Sequence, residues 1–147
     1  MRRGRLSNDE RSQVLYFLGR HAQQMYVHNL KMKLRTYRRF MYALKFAPDI
    51  DSFQNHYWTE TRSSEDERIL NYLEFGTGLN GSSRRRIIEP VSKKFLKFKG
   101  RGKWSGKTFF KKYVRGVKPG FMFTKTVEYM THNNERLKTM ARMRLGI

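Results

Sequence analysis

The sharpest chemical pattern in the chain is Gly76-Thr-Gly78-Leu-Asn-Gly81, which fits the letters G-x-G-x-x-G. Such glycines cradle a dinucleotide pyrophosphate when the loop follows a strand and opens a helix, because the helix N-terminus then meets the anion. Here Ser-Ser-Arg-Arg-Arg follows, and then Ile87-Ile-Glu-Pro90. Pro90 forbids a helix of useful length. No acid stands at the expected distance in a matching unit. The pattern reads as a flexible basic loop over 76–86.

Other chemistry is thinly supplied. The four histidines are His21, His28, His56 and His132, and none pairs with a second His at a metal-binding helical spacing. No G-x-S-x-G nucleophile signature occurs. Glu65-Asp66-Glu67 is explained as the first turn of a helix, where acids suit the dipole. Glu74 is the one acid of Tyr72-Leu-Glu-Phe-Gly-Thr-Gly78. It would be a catalyst without a partner, and reads instead as half of an ion pair, within the subunit or across an interface. The residues therefore call for no catalytic group, no metal and no cofactor, and the chain is expected not to be an enzyme.

Cations dominate. The formal net charge is +20, from 32 Lys/Arg against 12 Asp/Glu. Residues 1–83 carry 13 basic and 9 acidic side chains, and residues 84–147 carry 19 and 3. A field of that size repels itself and attracts polyanions, so nucleic acid or an acidic protein surface is the expected neighbour. A basic solubilising face is the plainer explanation, but +16 over the second stretch exceeds what solubility requires. The densest run is Lys93, Lys94, Lys97, Lys99, Arg101, Lys103, Lys107, Lys111, Lys112 and Arg115, interleaved with Phe95, Phe98, Trp104, Phe109, Phe110 and Tyr113. In one reading the aromatics stack on bases of a single strand. In the other they pack the inner face of a sheet, and only the cations meet phosphate. Strand alternation favours the second. Lys and Arg on phosphate give sequence-independent, salt-sensitive binding.

The elements that must position these groups follow from length and periodicity. A chain of 147 residues is expected to be one domain. Hydrophobic content is 38% and aromatic content 14%, which predicts a small core rich in Phe, Tyr and Met. No apolar run approaches the ~18 residues of a membrane span, and no h-region follows the basic tail at 1–6. Cysteine is absent, which excludes disulfides and thiolate metal sites and fits a reducing cytosol.

Ser7 and Glu10 have capping-box spacing. Val14, Leu15, Leu18, Ala22, Met25, Leu30, Leu34, Tyr37, Met41 and Leu44 then recur at mostly helical intervals. The pattern predicts one helix over 8–46, or two broken near Val27-His28-Asn29, ended by Pro48. Its basic side (Lys31, Lys33, Arg35, Arg38, Arg39) faces either nucleic acid or solvent. A strand is expected over 53–62, then a short helix over 66–73 capped by Ser64 with Glu67, with Gly76 at its C-terminus. Residues 91–117 predict a β-hairpin with a long basic tip, Lys118-Pro119-Gly120 a turn, and 122–143 a helix. The fold class is α+β: a helical region over 7–47, then a small antiparallel sheet and a C-terminal helix over 48–147.

Five pieces in order then add a likeness. They are Tyr72-Leu-Glu-Phe-Gly-Thr-Gly78, Ile87-Ile-Glu-Pro90, Lys94-Phe-Leu-Lys-Phe98, Phe109-Phe-Lys-Lys-Tyr-Val114 and Val117-Lys-Pro-Gly120-Phe-Met-Phe123. Together they resemble the tailed-phage family of minor tail or tail-completion proteins that act at the head–tail neck. The match runs over about 65–143, with Lys118 where that family often has His and Met122-Phe123 where it often has Pro-Phe. Residues 1–64 match only in outline.

The resemblance implies a structural virion subunit, made in the host cytoplasm and assembled as a ring, a hexamer or dodecamer. Its partners would be copies of itself, adjoining head-completion, connector, tail-terminator or tail-tube proteins, and the double-stranded DNA in the lumen. Arg84, Arg85, Arg86, Arg101 and Lys103 are the candidates to face that DNA, and Glu74 the candidate for an interface ion pair. The reading from another class is a basic, sequence-independent nucleic-acid-binding protein of ribosomal or chromatin type.

Overall fold

The computed structural model describes residues 4–77, 96–99, 103, 106–111, 116 and 118–147. The elements run α1 (Asn8–Lys33), a 3-10 turn (Tyr37–Arg39), β1 (Leu44–Asp49), β2 (Gln54–Thr59), α2 (Ser64–Phe75), β3 (Leu96–Lys99), β4 (Thr108–Lys111), α3 (Met122–His132) and α4 (Asn134–Leu145). The fold is α+β, with a long N-terminal helix, antiparallel strand pairs and a helical C-terminus. By contacts the chain forms two compact units, Met1–Glu67 with Phe121–Ile147, and Arg68–Gly120. No described helix is long and apolar enough to cross a membrane.

The start of α1 is written in its capping box. Ser7 N–H donates to Glu10 Oε2 at 2.8 Å, and Glu10 N–H donates to Ser7 Oγ at 3.2 Å. Its inner stripe is Val14, Leu15, Leu18, Gly19, Ala22, Tyr26 and Leu30, all buried. Met25, expected in that stripe, is only half-buried, and Tyr26 takes its place at 0% exposure. The apparent slip of five residues therefore vanishes, because Ala22, Tyr26 and Leu30 are spaced four and four. This stripe packs against β1, β2, α3 and α4. Truncating any one of its large members costs about 2–5 kcal/mol.

The expected helix to residue 46 is overturned. Leu34 leaves α1 with φ −129° and ψ 133°, and Leu44–Asp49 is a strand. Pro48 explains part of this. It confines Ala47 to extended backbone and lacks an N–H, so it suits a two-stranded ribbon better than a helix end. β1 pairs antiparallel with β2 from Leu44↔Thr59 to Asp49↔Gln54. The expected strand over 53–62 is thus present, trimmed to 54–59.

The connecting turn has no glycine, and Phe53 takes φ 53° instead. A left-handed non-glycine residue costs about 1–2 kcal/mol. Two cations hold it in place. Arg11 lies 5.2 Å and Lys138 4.2 Å from the Phe53 ring centroid. Arg11 Nη1 also donates to the Ile50 carbonyl at 3.1 Å.

The expected single C-terminal helix is two. Asn133 marks the break: it stands between the two helices at φ −105° and ψ 13°, and its side chain donates to the Tyr129 carbonyl at 2.9 Å. α3 is tied to α1 by a buried polar link. Asn29 Nδ2 donates to Thr126 Oγ1 at 2.9 Å, and that hydroxyl donates to the Met122 carbonyl at 2.7 Å. The cap of α2 lies one residue earlier than expected. Ser63, not Ser64, accepts from Asp66 N–H at 3.2 Å. The Asp66 carboxylate, nearly buried, pairs with Arg39.

Two predictions follow from packing on α1. A Cβ at Gly19 would lie 2.2 Å from Cε2 of Phe46, whose ring meets Tyr16 edge-on at 5.8 Å. Gly19→Ala is therefore expected to destabilise by about 1–3 kcal/mol, although a helix interior otherwise favours Ala. In a Phe46→Ala background the same change is expected to stabilise, as a double-mutant cycle in urea would measure.

His21 packs on Tyr129 at 6.1 Å, and its Nε2 is buried without a hydrogen-bond partner among the described residues. Burial, with Arg144 nearby, lowers its pKa from 6.5. The unfolded chain then binds the proton more readily, so stability is full above about pH 6.5 and falls as pH drops below it. Melting temperature between about pH 8 and about pH 5 is expected to show this decline reduced in His21→Gln.

Candidate nucleic-acid interface

The densest basic run of the sequence falls in the Arg68–Gly120 unit, while Lys31, Lys33, Arg35, Arg38 and Arg39 belong to the other. The frame of the former begins with the last two turns of α2. Leu70 and Glu74, four apart on that helix, are both 5% exposed. Gly76 closes the helix in the left-handed region at φ 72°, and its N–H donates to the Tyr72 carbonyl at 2.8 Å. The G-x-G-x-x-G letters thus begin at the end of a helix, not after a strand. That context does not suit a dinucleotide loop.

Backbone then meets backbone. Gly120 N–H donates to the Leu73 carbonyl at 2.8 Å. Gly116, at φ 99°, comes so close to Thr77 that a Cβ there would lie 1.8 Å from the Thr77 carbonyl oxygen. The Tyr72–Thr77 stretch and the 116–120 stretch are about forty residues apart in sequence and form one clasp. Only glycine has both the torsion and the absent side chain that the crossing needs.

The hairpin is present as expected. β3 pairs antiparallel with β4 in the register Leu96↔Lys111, Lys97↔Phe110, Phe98↔Phe109, Lys99↔Thr108. Lys97 and Lys99, two positions apart, share one face of the ribbon, and both are exposed. Thr108, opposite Lys99, is exposed as well. Lys103, Lys107 and Lys118 are exposed too. Five lysine ammonium groups on one small unit form a surface for phosphate, with charge but no fork geometry for reading a base edge.

Of the residues singled out in the sequence, Lys103 is exposed and Glu74 is buried. A carboxylate that deep is held by charge or hydrogen bonds rather than by water, which removes it from contact with bulk substrate. Arg84, Arg85, Arg86 and Arg101 lie outside the described residues, as do the side chains of the interleaved aromatics. Among the described residues no three His, Asp or Glu side chains gather as a metal site would require. Sequence reasoning passed over Gly116. The available signal was its place just before the Lys118-Pro-Gly turn, but the partner at Thr77 is a tertiary fact. Comparison with family models, curated proteins and solved structures gave no match.

The clasp makes a sharp prediction. Gly116→Ala is expected to cost about 3 kcal/mol or more, since it adds a backbone clash to a disfavoured torsion. Gly106→Ala, with φ 82° but nothing within 4 Å, is expected to cost only about 1–2 kcal/mol. Urea unfolding of both variants checks the difference.

Proposed function

We propose that this chain is a structural subunit of a tailed-phage neck, a tail-completion protein that assembles as a ring between head and tail around the DNA channel. The observation that supports it most is the glycine clasp. Two of the five stretches that carry the resemblance, Tyr72–Gly78 and Val117–Phe123, meet through backbone at Leu73 and Gly120. Gly76 and Gly120 serve shape rather than catalysis, which suits an assembly subunit.

The charge then has a use. A ring multiplies the +20 of each subunit. Exposed ammonium groups such as Lys97, Lys99 and Lys103 would line the lumen and neutralise phosphates. They would fix no sequence register, so DNA slides past them. Adjoining connector or tail rings would meet other faces of the subunit, and the protein would reside in the virion. The same lysines support a second reading, a cellular nucleic-acid-binding protein that is monomeric or dimeric.

Native mass spectrometry of the purified protein, with and without double-stranded DNA, separates the two. A ring of six or twelve subunits with weak affinity for free DNA is the expected result, by analogy with closed cyclic assemblies. A stable monomer whose tight DNA or RNA binding falls steeply with salt would sink the neck reading.

A further inference from the structure

A second cationic feature lies in the other unit, in the half of the sequence whose net charge is small. Arg20, Val27 and Lys31 lie along one stripe of α1, and Met41, Tyr42 and Lys45 lie on the segment that follows it. Between them is a groove of about 570 Å³. Among the described residues no Asp or Glu lines it. Among the described residues neither Arg20, Lys31 nor Lys45 is paired with a carboxylate.

The groove is built rather than incidental. Gln23 Nε2 donates to the Leu44 carbonyl at 3.1 Å, which fixes the start of β1 against α1. Arg20 Nη1 donates to Gln23 Oε1 at 3.4 Å, and Lys31 Nζ sits 5.2 Å over the Tyr37 ring. Two of the three cations are thus held by neutral partners, and their charge is left for a ligand. Tyr42 lines the groove and is 69% exposed, so its ring is open to a ligand there.

We infer that this groove docks an acidic peptide segment of another protein, one that carries an apolar side chain among its carboxylates. Charge complementarity names the first half of that ligand: three cations without a carboxylate partner around a concave site with no acid among its described lining. The groove wall names the second. Val27, Met41 and Tyr42 give an apolar side chain a place to bury, in the manner of an anchor residue. A DNA duplex offers nothing to that wall, because its backbone presents only phosphate and sugar. A single strand could stack a base on Tyr42, and that is the competing outcome. The inference goes beyond the neck reading and does not depend on it.

Fluorescence anisotropy of a labelled Glu-Asp-Phe-Glu-Glu-Leu-Glu-Asp peptide tests this on the full chain at about 0.15 M salt. Lys31→Glu with Lys45→Glu is expected to weaken binding more than about tenfold. The charge-matched control, Lys125→Glu with Arg136→Glu at exposed positions of α3 and α4, is expected to weaken it less than about threefold. Tyr42→Ser, which leaves charge unchanged, is also expected to weaken it more than about threefold.

Equal losses in the two charge-reversed proteins overturn the inference, since general attraction to a chain of +20 then suffices. An unaffected Tyr42→Ser overturns it as well. So does a labelled thymidine single strand that displaces the peptide and loses affinity in the same groove variants. If circular dichroism shows that the charge-reversed pair is unfolded, Lys31→Gln and Tyr42→Ser carry the same comparison. Failure to form rings bears on the neck reading alone and leaves the peptide result standing.

Discussion

The larger unit depends on how closely its second layer can approach α1. Gly19 sits in the middle of that helix, where glycine costs about 1 kcal/mol against alanine. The absent side chain is where the Phe46 ring lies. With that ring seated, β1 can lie along the helix, and β2 follows by its register with β1. α3 and α4 cover the remainder of the stripe, and Tyr26 is buried completely. The unfavourable helix residue and the unfavourable torsion at Phe53 are alike in this respect. Each is a local cost that tertiary packing offsets, by a ring in one case and by two cations in the other.

In the smaller unit the described frame draws on backbone contacts as well as on the buried Leu70 and Glu74. That unit carries many lysines, and like charges oppose compaction. Its described frame relies on groups that charge does not weaken: a helix closed by Gly76, a hydrogen bond from Gly120 to Leu73, and the contact of Gly116 with Thr77. A frame built in this way leaves Lys97, Lys99, Lys103, Lys107 and Lys118 at the surface.

The two basic surfaces differ in what surrounds the charge. On the hairpin the described lysines stand on an open ribbon, which suits a partner that is itself a charged surface. In the groove beside α1 the cations ring an apolar wall, which suits a partner with a side chain to insert. Net charge does not distinguish these cases. The concavity and the lining do.

Much of the local structure could be read from the sequence. Ser7 with Glu10 marks a helix start because both capping bonds close within four residues, and Gly76 marks a helix end for an equally local reason. The α+β class, the 54–59 strand and the 96–111 hairpin follow from short-range propensity and turn residues. Residues 34–46 do not. Their apolar spacing suits a helix, and only pairing with 54–59 makes the end of that stretch a strand. The choice of Tyr26 over Met25 for the core depends on the helix's neighbours, since the two stand side by side on the same turn. The positive charge was plain in the composition. The tertiary structure alone placed Gly116 against Thr77, and joined the Arg20–Lys31 stripe to Tyr42 and Lys45 in one groove. Close approach of distant backbone is set by the summed packing of the chain, which no short-range pattern encodes.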